Sequence, residues 1–319
     1  MRRTPLHADH KRIHTAMPPF VLDGLADDAL EEIGYALADP LAPKLSVAFS
    51  ACSHGLRRAL KAPIRQLRER RQKAEALCAF VSTDRDQMSC DVLRDATELN
   101  WEEKRLTAAH VDTLGMLLAT NGLPQLETLN LAENMIDAER MHSLVRGLGW
   151  RALPSLKTLF LNDQDGIGIG NAGAAALAAA LSRGAMPSLD WLVLSCNQID
   201  DEGLVALAVP LRTHPALTAL NLSELDVGDE GVAALVAPGE GVLTKLKVLI
   251  LHCTLITDVG CAKLVDALDS GVMPNLVCIE LGAGGLVDSY EAIKPKFRAS
   301  DEAQEAVQEA LGRSIARRG

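Results

Sequence analysis

The chain has 319 residues and a formal net charge of −10, and 48% of its residues are apolar although only 3% are aromatic. An acidic protein repels phosphate backbones, which argues against nucleic acid as a partner, and no window reaches the roughly 18 uninterrupted apolar residues of a membrane-spanning helix. Seven cysteines, an odd number without a C-x-x-C pair, are typical of a reduced intracellular protein.

The N-terminal quarter differs in charge from the rest. Residues 1–75 contain 13 Lys and Arg against 9 Asp and Glu, a net charge of +4, so the remaining residues hold 19 against 33, a net charge of −14. Residues 1–16 predict a polar tail. Because this opening stretch is basic, import into an organelle stays open beside a cytoplasmic or nuclear location.

Residues 17–62 predict a small domain of short amphipathic helices. Apolar residues recur three and four positions apart, and prolines such as Pro40 separate the runs. Asp27 and Asp28 precede the first run, where acidic groups favour a helix N-terminus.

This segment resembles an F-box, whose pattern is an L-P-x-E/D start followed by two hydrophobic residues, a hydrophobic helix, a D-P-x-x-L turn and a helix that ends in C-x-x-L/W-R. The matching residues are Leu25, Asp27, Asp28, Leu30, Ile33, Leu37, Asp39, Pro40, Leu41, Leu45, Cys52, Leu56 and Arg57. Ala26 and Gly34 depart from the pattern. The resemblance implies docking onto the small linker subunit of a cullin ubiquitin ligase. The alternative is a helical cap on the first repeat, because solenoids need a polar-faced cap at each end.

Residues 63–94 predict a helical linker. The apolar spacing predicts a helix over residues 63–81, with a basic, solvated face. Residues 82–95 are polar, and we expect them to loop into the first strand.

A recurring leucine line organises residues 95–290. The first leucines of successive lines are Leu126, Leu156, Leu189, Leu217, Leu246 and Leu276, so the period is 28 to 33 residues. Each line reads approximately L-x-x-L-x-L-x-x-N-x-L, which with such a period is the signature of a leucine-rich-repeat solenoid. A degenerate unit around Leu99 precedes them, which makes about seven units.

The second half of each unit resembles the ribonuclease-inhibitor class of these repeats, at Asp201–Leu207, Asp229–Leu235 and Asp258–Leu264. The resemblance implies an α/β solenoid: a horseshoe with parallel strands on the concave face and helices on the convex face. The aspartates that open these helices suit the positive end of the helix dipole, so we assign them a structural role.

Residues 291–319 predict a C-terminal helical cap. Ser300 can cap a helix, and Val307, Leu311 and Ile315 are spaced to face inward. With the N-terminal helical domain, this cap completes the predicted architecture.

The strands predict where a partner binds. Side chains alternate across a strand, so the leucines face the core and the residues between them face the concave surface. There we expect an apolar patch formed by Phe160, Trp191, Val193, Val248 and Ile250. The acidic residues expected around the patch are Glu98, Glu102, Glu133, Asp163, Asp165, Glu224 and Glu280.

An apolar centre with an acidic rim suits a partner protein with a basic and partly apolar surface. The alternative is that the chain's own N-terminal segment covers the patch.

The sequence predicts no enzyme, no cofactor and no metal site. It contains no G-x-S-x-G, P-loop or H-E-x-x-H motif. The run from Asp163 to Gly168 is similar to a calcium loop but lacks the distal glutamate, so we interpret it as an insertion loop.

The function that we predict is therefore a non-enzymatic interaction module, an F-box-like substrate adaptor whose concave face selects a protein. One alternative is a structural or assembly subunit of a larger complex. A more distant one is a GTPase-activating protein, because the Ran GTPase-activating protein has similar repeats.

Overall fold

The computed structural model describes residues 61–83, 87–120, 123–164, 166, 168–239, 243–282 and 298–318. The tail at 1–16, the F-box-like segment up to residue 60 and Asp165 lie outside these ranges. Residues 67–319 belong to one compact unit, which holds the repeats, and residues 61–66 belong to the other.

Seven short parallel strands alternate with helices. The strands are β1 (Glu98–Asn100), β2 (Thr128–Asn130), β3 (Thr158–Phe160), β4 (Trp191–Val193), β5 (Ala219–Asn221), β6 (Val248–Ile250) and β7 (Cys278–Glu280). The helices are α1 (Lys61–Val81), α2 (Cys90–Arg94), α3 (Ala108–Ala119), α4 (Ala138–Val145), α5 (Gly170–Ser182), α6 (Asp201–Arg212), α7 (Asp229–Leu235), α8 (Asp258–Ser270) and α9 (Asp301–Ala316). The strands pair in chain order in one sheet, which confirms the predicted α/β solenoid.

The leucine line makes the sheet because it buries one residue of every strand. The central residues, which align in register across the sheet, are Leu99, Leu129, Leu159, Leu192, Leu220, Leu249 and Ile279, and all seven are buried. A strand that is slipped by one residue would expose its leucine, so this burial fixes the register.

A polar ladder closes the turns after three of the strands. Asn134 donates from Nδ2 to the carbonyl oxygens of Trp101, Leu131 and Ala132, and its Oδ1 accepts from the Leu106 N–H at 3.2 Å. Gln164 and Asn197 occupy the same place in the next two units and bond in the same way. All three are buried, so the amides satisfy backbone groups that cannot reach water.

Four residues near helix N-termini bind the next repeat, and we call them the clamp residues: Asn171, Asp201, Asp229 and Asp258. Asp229, for example, accepts with Oδ1 from the N–H groups of Thr257 (2.8 Å) and Gly260 (2.9 Å), and with Oδ2 from the Thr257 hydroxyl (2.6 Å). The aspartates lie in the first helical turn, as expected, but their hydrogen bonds also cap the helix that follows. Sequence spacing alone does not reveal contacts across 27 to 42 residues.

Helix α9 packs against α8 and β7. Val307 and Leu311 face inward as predicted, but Ile315 is 42% exposed and Ser314 is buried in its place. Gln308 donates to the Ile279 carbonyl at 3.0 Å, so the helix supplies partners to the last repeat.

The described part of α1 runs from Lys61, the first described residue, to Val81, where the predicted helix ends. The expected loop over residues 82–95 contains the short helix α2, which Ser89 caps by accepting from the Val92 N–H. Within the described ranges, no helix has the length and apolar character that crossing a bilayer requires.

Candidate functional site

The side chains that flank the buried strand centres form two rows on the exposed side of the sheet, which we call the strand face. The first row is Glu98, Thr128, Thr158, Trp191, Ala219, Val248 and Cys278. The second row is Asn100, Asn130, Phe160, Val193, Asn221, Ile250 and Glu280. Each row runs across all seven strands, so neighbours within a row belong to successive repeats.

An aromatic pair lies at the centre of the strand face. The rings of Phe160 and Trp191 have centroids 5.7 Å apart and planes inclined by 58°, a tilted geometry that aromatic pairs favour. Trp191 is 41% exposed, and Phe160 is half-buried. Val193 lies beside Phe160 in the register and is itself buried, so it forms the floor of the patch and offers little surface.

The other two apolar residues of the predicted patch lie two strands further on. Val248 and Ile250 are half-buried on β6, and β5 separates them from the aromatic pair. In the first row Ala219 keeps the surface apolar between Trp191 and Val248. In the second row the polar Asn221 interrupts it, so the patch is continuous along one row only.

A line of acidic residues follows the strands at their carboxyl ends, and we call it the acidic ridge: Glu103, Glu133, Asp163 and Glu224. Each has a positive φ, between 51° and 58°, and Cys196 and Cys253 occupy the same position in their own repeats. The ridge residue always lies four positions after the buried strand centre. A left-handed residue at that point turns the chain away from the sheet.

Charge on the ridge is concentrated where three acids are neighbours. Burial raises the pKa of the Glu133 carboxyl, and so do a side-chain hydrogen bond with Glu103 and the charges of Glu103, Asp163 and Glu102. A group whose pKa rises because of neighbouring carboxylates lies in a negative potential. In the first repeat two basic residues, Lys104 and Arg105, follow Glu103 and partly offset its negative charge. The negative potential is therefore stronger from Glu133 onward.

The predicted rim is distributed over three places. Glu98 and Glu280 are exposed at the two ends of the sheet, on β1 and β7. Glu102 is exposed next to the ridge and accepts from the Asn130 amide at 3.2 Å. Glu133, Asp163 and Glu224 belong to the ridge itself, and Asp165 lies outside the described residues.

Sequence reasoning missed Glu103. The signal was present, because the ridge position recurs four residues after each strand centre, at 103, 133, 163, 196, 224 and 253. Alternation along a strand does not extend past the left-handed turn, and for that reason the ridge was not recognised as one row.

Two thiols have raised pKa values, Cys196 at the ridge position and Cys278 on β7. Burial, the Glu224 charge and a hydrogen bond with Glu224 raise the pKa of Cys196 to about 12. Burial and the Glu280 charge raise the pKa of Cys278. Since the thiolate is the reactive species, these raised pKa values disfavour nucleophilic chemistry at the two cysteines. In the described part of the chain, no group of three or more His, Cys, Asp or Glu side chains is arranged to hold a metal ion.

Comparison with known proteins identifies the repeat. Residues 186–208 and 213–236, which contain β4 and β5, match the family model described as Leucine Rich repeat. No curated protein matches the sequence of the chain.

Among solved structures, the chain is similar to the tropomodulin C-terminal domain of Caenorhabditis elegans, at 16% identity and a TM-score of 0.38, covering 65% of this chain and 94% of that one. It is also similar to leiomodin-1 actin-binding site 2, at 12% identity and a TM-score of 0.37, covering 64% of this chain and 88% of that one. The matched units and the seven-stranded parallel sheet together show that the chain contains leucine-rich repeats.

Proposed function

We propose that the chain is a protein-interaction module whose strand face binds a protein with a basic and partly apolar surface. The observation that carries the proposal is the Phe160–Trp191 pair beside the acidic ridge. Tryptophan is enriched among the residues that dominate binding energy. An apolar centre bordered by charge is also the usual anatomy of a protein interface.

The geometry suggests how such a partner binds across the strands. Glu103, Glu133 and Asp163 belong to three consecutive repeats, and neighbouring strands lie about 4.8 Å apart. A segment that crosses the strands therefore meets one carboxylate per repeat while an apolar side chain contacts Trp191. The acidic ridge sets orientation and association rate, and the apolar centre contributes most of the affinity.

Replacing Trp191 by serine tests this proposal. The protein that the full chain retains from a cell extract at low salt should be bound at least about ten times more weakly by the W191S variant, because the apolar anchor is lost. Binding to the unmodified chain should also weaken as salt rises, because salt screens the acidic ridge. Quantitative pull-down followed by titration of the identified partner measures both effects.

Trp150 provides a matched control. It is 77% exposed in the turn between α4 and β3, away from the strand face, with the Arg151 guanidinium 5.5 Å from its ring centroid. The W150S variant should bind like the unmodified chain. Equal losses in the two variants, or no loss in either, would place the partner elsewhere on the protein.

The adaptor role is the finer part of the proposal, and it rests on the F-box-like pattern in residues 17–62. If those residues dock a ligase, the full chain should bind the purified linker subunit of a cullin ligase. Replacing Leu30 by aspartate should abolish that binding, and W191S should leave it unchanged. A full chain that ignores the linker subunit but purifies in one stoichiometric complex would instead be a structural or assembly subunit.

We also retain the ribonuclease-inhibitor class as a proposal for the type of repeat. It is supported by the full helices of 12 and 13 residues that follow β3, β4 and β6.

A further inference from the structure

Two cysteines meet at the N-terminal end of the repeat stack. Cys78 lies in the last turn of α1, Cys90 is the first residue of α2, and their Sγ atoms are 4.0 Å apart. Each residue is only 3% exposed. The sequence gives no hint of this pairing, because eleven residues separate the two and no C-x-x-C motif is present.

Ser82 joins the end of α1 to the chain segment that leads into α2. Its hydroxyl donates to the Cys78 carbonyl at 2.8 Å and accepts from the Met88 N–H at 2.9 Å, which brings the returning chain against the end of α1. Leu77 on α1 and Leu93 on α2 are fully buried and belong to the same hydrophobic core. The short distance between the sulfurs is therefore set by the local fold.

We propose that Cys78 and Cys90 are a modification site, at which a low-molecular-weight disulfide such as oxidised glutathione converts the two thiols into an intramolecular disulfide. The sulfurs must approach by about 2 Å to reach the S–S length of about 2.05 Å.

The reaction balances as two exchanges. The Cys90 thiolate attacks one sulfur of oxidised glutathione, forming a mixed disulfide and releasing one glutathione thiolate. The Cys78 thiolate then attacks the Cys90 sulfur and releases the second glutathione thiolate. Overall the protein loses two protons and two electrons, and one glutathione disulfide becomes two glutathione thiols.

The surroundings provide access and set the order of attack. Both cysteines line an open cavity of about 580 Å³ together with Arg71, Glu75 and Met88. Burial raises the pKa of both thiols, that of Cys78 to about 12. The Arg71 charge lowers the pKa of both thiols, whereas the hydrogen bond that Cys78 donates to Cys90 lowers the pKa of Cys90 and raises that of Cys78. Cys90 is therefore the thiol that attacks first.

Peptide mapping tests the proposal on the full chain. After incubation with oxidised glutathione, alkylation and trypsin digestion without reductant, the peptides Ala74–Arg85 and Asp86–Arg94 should appear joined, two hydrogen atoms lighter than their sum. Reductant should separate them. Because the thiolate attacks and burial raises the pKa of Cys90, the initial rate should rise with pH between pH 7 and pH 9.

Two variants separate this pair from other cysteines. The Cys52→Ser variant should form the same joined peptides, and Cys90→Ser should form none. Recovery of Cys78 and Cys90 only as alkylated or singly glutathionylated peptides would overturn the proposal, and so would a link from either one to another cysteine. The result on the unmodified chain is decisive even if a variant folds poorly.

Discussion

Replacing Asn134 by alanine should lower the free energy of unfolding by about 3 kcal/mol. The Asn134 side chain is fully buried and makes four hydrogen bonds to backbone groups, two of them to Trp101 and Leu106 of the preceding unit. Alanine would leave the Leu106 N–H and the Trp101 carbonyl without a partner in a site closed to water. The cost of burying unsatisfied groups, rather than the net strength of the bonds, makes the effect large.

Asn130, four residues earlier, is the matched control. Its amide bonds the Ala132 N–H and the Glu102 carboxylate on the partly exposed strand face, where water can replace both. Asn130→Ala should therefore cost less than about 1 kcal/mol. Equilibrium urea unfolding at unchanged m-value compares the two variants. Similar losses at both positions would show that the ladder adds little to stability.

Replacing Gly260 by alanine should lower the free energy of unfolding by about 2 kcal/mol, although alanine in a helix interior is normally favoured over glycine by about 1 kcal/mol. A Cβ atom at Gly260 would overlap Oδ1 of Asp229 and lie 2.8 Å from Cγ2 of Ile256. Asp229 would have to leave the N–H groups of Thr257 and Gly260. The clamp between α7 and α8 would then be lost.

Replacing Gly312 by alanine should change the free energy of unfolding in the opposite direction. It lies inside α9, and a Cβ atom there would meet nothing within 4 Å. Gly312→Ala should therefore raise the free energy of unfolding by about 0.5–1 kcal/mol. In an Asp229→Ala background the cost of Gly260→Ala should fall by at least half, because one of the two obstacles is gone. A stabilising effect of Gly260→Ala in the unmodified chain would contradict the clamp.

The repeat architecture could be predicted from the sequence because apolar residues recur at a fixed spacing. Leu99 and its counterparts at a fixed period give the strand centres, and Ser300 gives the start of α9. The double role of Asp229 was not predictable, since its partners Thr257 and Gly260 lie one repeat away. The prediction that Ile315 faces inward was wrong, because α9 packs against α8 with Ser314 buried instead.

The site could be predicted only in part. Alternation correctly assigned Phe160 and Trp191 to one face, because a strand has a period of two. It could not indicate that Val193 would be covered, which depends on its neighbours across the sheet. Glu103 and its row lie beyond the end of the strands, where the left-handed backbone breaks the alternation.

Every clamp residue accepts hydrogen bonds from backbone groups that come later in the sequence. Asn171 accepts a hydrogen bond from the N–H of Asp200, Asp201 from those of Gly228 and Gly231, Asp229 from those of Thr257 and Gly260, and Asp258 from that of Ser300. During synthesis from the N-terminus, the acceptor of each clamp therefore emerges from the ribosome before the helix start that needs it.

Removing a repeat from the N-terminal end and removing one from the C-terminal end are therefore not equivalent. Loss of a C-terminal repeat leaves a carboxylate or amide oxygen that water can solvate, whereas loss of an N-terminal repeat leaves a helix start with free N–H groups.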